Sequence, residues 1–152
     1  MAKPFLDWSQ KMTRALPLLL LSVCLAGCGR STVATATQAS ETEFQLGHQA
    51  FERKEYDEAV KQFDSALGRG GMNADMAGEA LLMRGRSLTN LGRLDDALRD
   101  LDEARKGPVP VDAVLAAKGE IALIQGDLDR ARSLFTKARN LNPSIPWPDN
   151  LK

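Results

Sequence analysis

Histidine, cysteine and aromatic residues are all scarce in this chain. Its 152 residues include one histidine, one tyrosine, two tryptophans and five phenylalanines, and the only cysteines are Cys24 and Cys28. With His48 as the sole imidazole, nucleophile-base pairs and zinc sites lack their usual components, so neither catalysis nor a metal or cofactor is expected. Basic and acidic side chains balance at 20 each, without the basic excess that nucleic-acid binding requires. Long apolar runs are missing too. The longest, ALPLLLLSVCL at 15–25, is about half of the roughly 20 residues that cross a bilayer as a helix.

What is present begins with that short run. Lys3, Lys11 and Arg14 precede it and Ala26 and Gly27 follow it, giving the basic start, greasy middle and small-residue end of a secretory leader over residues 1–27. Met12-Thr13-Arg14 would make a compact leader by itself, so starts at Met1 and Met12 both stay open. Leu25-Ala26-Gly27-Cys28 resembles the lipobox of bacterial lipoproteins. The resemblance implies that the Cys28 thiol receives a diacylglycerol, that cleavage falls just before it, and that the new amino terminus is acylated, palmitate being a typical chain. Cys24 would leave with the leader, so no disulfide remains. Gly29 stands where inner-membrane lipoproteins carry a retention aspartate, which implies the outer membrane, facing the periplasm. Losing residues 1–27 takes the basic count from 20 to 17 and the acidic count from 20 to 19, a charge near −2.

Residues 29–40, GRSTVATATQAS, are small and polar without helical or strand periodicity, so 28–40 reads as the lipidated cysteine and a flexible tether. Such a segment spans roughly 20 Å on average. From Glu41 the chain repeats itself. Gly47, Gly85 and Gly119 are each followed twelve residues later by alanine (Ala59, Ala97, Ala131), sixteen later by Phe63, Leu101 or Phe135, and nineteen later by alanine again (Ala66, Ala104, Ala138). Asp57, Asp95 and Asp129 recur ten after each glycine, where negative charge favours a helix N-terminus. In the last copy Leu128, Ala131, Leu134, Phe135, Ala138 and Leu141 form an amphipathic helical stripe.

This spacing resembles the tetratricopeptide repeat, a helix-turn-helix unit of 34 residues. YDEAVKQFDSAL, LDDALRDLDEAR and LDRARSLFTKAR match its second helix, and Pro143 matches its closing proline, where the other copies have Gly71 and Val109. Glu43, Leu81 and Leu115 replace its tryptophan. The expected fold is all-α, an α-solenoid of about three hairpins at 41–72, 75–107 and 110–142, followed by a proline-rich tail at 143–152. Glycine on one helix is expected to face alanine on the next, with the aromatic or leucine filling the gap. Gly92 and Gly126 are expected in the turns within hairpins, with Lys54 in their place in the first. Repeats one and two are 38 residues apart, the extra four falling in GRGGMNAD, which should swing the first hairpin away from regular stacking. Ile145 and Trp147 are expected to fold back and cap the third hairpin; the alternative leaves that end open to another chain.

The resemblance further implies a protein partner held on the concave surface formed by each repeat's first helix. Carried over position by position, the lining would be Phe44, Gln45, His48 and Glu52, then Met83, Arg86 and Asn90, then Ala117, Glu120 and Ile124. The lysine-asparagine carboxylate clamp of chaperone adaptors is absent: Phe44, His48, Met83, Ala113 and Ala117 stand there. The expected function is a membrane-anchored adaptor. Lipoproteins of this architecture include assembly factors for pili and secretion channels, though these tend to be longer. Two rival readings are an apolar or peptidoglycan-derived ligand in the groove, for which Phe44 and Phe51 are the only aromatics on the first helices, and a structural homo-oligomer.

Overall fold

The computed structural model describes residues 28–152, with side chains from residue 35 onward; the expected leader lies outside the described residues. The chain divides into two compact units, 1–35 and 36–152. Of the first, only the opening of one helix is described. The second holds the helices α1 (Cys28–Glu52, from residue 36), α2 (Tyr56–Arg69), α3 (Ala74–Asn90), α4 (Leu94–Ala104), α5 (Val111–Ile124) and α6 (Leu128–Leu141), then a 3-10 turn at Asp149–Leu151. Among the described residues there is no strand, and no helix is long and apolar enough to cross a membrane.

Consecutive helices pair as α1/α2, α3/α4 and α5/α6, and the three connecting turns are built alike. Lys54, Gly92 and Gly126 take left-handed backbone, φ 61°, 75° and 77°. The N–H of each bonds the carbonyl three residues back, and the next N–H bonds the carbonyl five residues behind it: Glu55 to Ala50, Arg93 to Leu88 and Asp127 to Ala122, each at 2.9 Å. This double bond satisfies the last carbonyls of the first helix and reverses the chain. Acidic residues then open the next helix: Asp57 and Glu58, Asp95 and Asp96, and Asp129.

Ala59, Ala97, Ala131, Ala66, Ala104 and Ala138 are all wholly buried. At the repeated glycines the nearest atoms belong to the large apolar residue of the same hairpin, which fills the gap as expected, and at Gly85 also to Ala97. A Cβ on Gly47 would lie 2.8 Å from the Phe63 ring, and one on Gly119 2.7 Å from Phe135. In the middle hairpin Leu101 takes that place, 3.2 Å away, with the Ala97 carbonyl at 3.3 Å from the same point on Gly85. Ring and helix axis can approach only because that side chain is missing.

Hairpins are joined by shared apolar clusters. Val60 of α2 packs with Leu82 and Leu88 of α3, Leu101 of α4 and Val114 and Ile121 of α5. Ala80 and Met83 of α3 pack in turn with Phe44 and Phe63 of the first hairpin.

The first helix starts before the boundary at Glu41. Ser40 is fully buried and its hydroxyl donates to the Gly70 carbonyl at 2.6 Å. Gly71, at φ 87°, lies so near Thr37 that a Cβ there would come within 3.2 Å of the Thr37 backbone nitrogen and Cα. Gly70 and Gly71 of the glycine-rich loop thus lie against α1, giving the stretch around Thr37 and Ser40 partners that composition alone does not reveal. The packed body therefore begins at Ala36, five residues ahead of the boundary read from the repeats. The expected displacement of the first hairpin does not prevent it from packing on α3.

Candidate functional site

Alignment to the repeat gives ten lining positions, and their side chains separate into two groups. Phe44, Met83 and Ala117 are 5%, 8% and 2% exposed. The Phe44 ring lies 6.0 Å from that of Phe63, and Met83 joins the same cluster. These two hold the first hairpin to the second, which corrects their expected place on an open groove: bulky apolar groups at a helix junction are drawn into it. Gln45, Glu52, Asn90 and Ile124 are exposed, and His48, Arg86 and Glu120 half-buried.

Arg86, Ala117 and Glu120 converge. They line a cleft of about 290 Å³ between α3, α5 and the segment after α6. Leu82, Ala113 and Ala116 form one side, and Phe135, Ile145 and Pro146 the other. The Arg86 guanidinium stands 5.3 Å from the centre of the Phe51 ring on α1, so one side chain links the first helices of two repeats. Burial raises the pKa of Glu120 above the ordinary glutamate value, and the nearby charge of Arg86 offsets this only in part. Among the described residues the Glu120 carboxylate makes no hydrogen bond or ion pair. At the rim, Asn142 Nδ2 donates to Asp112 Oδ2 at 2.8 Å, tying the end of α6 to the start of α5.

The far wall comes from the tail. Trp147 packs edge-on against Phe135 with ring centres 6.5 Å apart, Arg139 lies 5.7 Å over the Trp147 ring, and Leu151 is 4% exposed. The prolines keep this segment from joining α6, yet its last residues still close a 3-10 turn. Ile145 and Pro146 thereby become lining residues that a repeat-by-repeat alignment cannot supply, because they lie beyond the last repeat.

A second cleft, of about 250 Å³, opens among α2, α3 and α4 and is lined by charges that already satisfy one another. Arg84 donates to both Asp100 oxygens at 2.7 Å and also to Asp64. Asp100 is buried. The triad joins three helices of two hairpins, a structural tie between them.

The described residues bring no three metal-ligating side chains together. A family model described as tetratricopeptide repeat matches residues 44–113 and, in an overlapping register, 82–146. Among solved structures, the Arabidopsis OM64 TPR domain superposes with a TM-score of 0.62 at 21% identity, covering 72% of this chain and 88% of that one. No curated protein is significantly similar to the chain in sequence.

Proposed function

This chain belongs to the tetratricopeptide repeat family, and from that premise we propose that it is a membrane-anchored adaptor that holds a protein partner on its concave face. The fold is typically a scaffold for protein interaction. The observation that carries the reading for this chain is the cleft itself: Arg86 from one repeat and Glu120 from the next share a half-buried floor, closed on one side by the tail. Charged groups poised beside apolar walls suit a peptide, which offers backbone donors and acceptors as well as side chains. A purely apolar ligand would leave both charges desolvated and unpaired.

Anchoring is the second part of the proposal. Cys28, after Leu25-Ala26-Gly27, carries the lipid, residues 28–35 connect it to the packed body, and the protein faces the periplasm from the outer membrane of a bacterial cell. Pilus or secretion-channel assembly is the process in which such an adaptor would serve. Labelled palmitate and envelope fractionation test the anchor: label in the outer-membrane fraction, lost with Cys28→Ser, supports it, and label unaffected by that change removes it. Affinity purification from the same membranes tests the binding face. Ala113→Arg, which puts a long cationic side chain into the cleft, should lose a protein recovered by the unaltered chain, and an identical set of recovered proteins would refute binding through this cleft.

A further inference from the structure

The cleft beneath the tail carries a charge pattern that selects among peptides. Its charged lining residues are Arg86, Asp112 and Glu120, a sum of −1. Asp112 is committed to Asn142 through the 2.8 Å bond at the rim. Arg86 is engaged by the Phe51 ring and reaches Glu120 as a charge, without a hydrogen bond. Glu120 is left as a half-buried carboxylate with no hydrogen bond or ion pair among the described residues, its desolvation compensated only in part by the charge of Arg86. In the same cleft Ala116 and Ile145 offer apolar surface. A long basic side chain matches this arrangement, because its methylene stem covers apolar surface while its head carries the charge. An acidic side chain in the same cleft would face two carboxylates, Glu120 and Asp112, against the one guanidinium of Arg86.

We propose that this cleft recognises a lysine or arginine of the partner, its charged head on Glu120 and its stem against Ala116 and Ile145, in a segment with an apolar neighbour. This rests on the peptide-binding reading of the concave face and adds which peptides that face takes. Selection of a random-heptapeptide phage library on the full-length chain tests it. The expected outcome is enrichment of sequences with a basic residue next to an apolar one. For a resynthesised peptide, affinity should fall about tenfold or more in Glu120→Gln, since one partner of a partly buried charge pair is lost. Replacing the peptide's basic residue with norleucine should cause the same loss on the unaltered protein, a result independent of any folding defect. Glu120→Lys should select acidic peptides instead. Enriched peptides that lack a basic residue, or that bind Glu120→Gln and the unaltered chain equally well, would overturn this specificity and leave the adaptor reading standing. If nothing is enriched, the peptide-binding reading falls with it.

Discussion

Glu120 and the repeated glycines show how much a single residue can decide here. The folded chain holds the Glu120 proton at pH values where the unfolded chain has lost it, because burial raises its pKa in the folded state alone. Stability therefore falls as pH rises from the ordinary glutamate value to the raised one, and stays lower above it. Glu120→Gln should be more stable than the parent near neutral pH, and the gap should close in acid below the ordinary glutamate value; thermal melts at the two pH values check this. Gly119 poses the opposite case. Its Cβ would sit 2.7 Å from Phe135, so Gly119→Ala should cost about 1–3 kcal/mol in denaturant titration. Gly68, on the exposed last turn of α2, has nothing within 4 Å, and Gly68→Ala should stabilise by about 0.5–1 kcal/mol.

At the scale of the element, the turns and the tail carry the argument. Lys54 makes the same turn bonds as Gly92 and Gly126 but pays for a left-handed backbone with a Cβ. Lys54→Gly should raise stability by about 0.5–1 kcal/mol, less than the full left-handed penalty because glycine also loosens the unfolded chain. Trp147 covers Phe135 and stacks under Arg139, so Trp147→Ser should lower stability by about 1–3 kcal/mol and expose the third hairpin. Helix positions and turn chemistry were legible because each hairpin must solve the same packing problem, so Gly47, Ala59 and Phe63 predict their counterparts. The start of the packed body was not legible. Ser40 and Thr37 owe their order to Gly70 and Gly71, some thirty residues on, and no local pattern around residue 40 encodes that contact.

For the packed unit as a whole, the clusters that cross from hairpin to hairpin make it cooperative. Val60, Leu101 and Ile121 belong to one cluster, so no repeat buries its apolar face alone. This stacking sets α3 beside α5 and brings Arg86 and Glu120, 34 residues apart, to one floor. Alignment to the repeat puts both on one face, and both line one cleft, because face is set by helical period. It misplaces Phe44 and Met83, because whether a residue on that face looks outward depends on the neighbouring helix, and it cannot find Ile145 and Pro146 outside the repeats. The most direct test of partner binding on the concave face is photocrosslinking in cells. A photoreactive residue at Ala116, inside the cleft, is compared with one at the exposed Lys61 on α2, in the native chain and in Cys28→Ser. A defined envelope protein captured from position 116, absent from position 61 and lost with Cys28→Ser, is the expected result. Capture of the same proteins from both positions, or from 116 of nothing but lipid, glycan or other copies of the chain, would contradict an anchored adaptor that binds through its concave face.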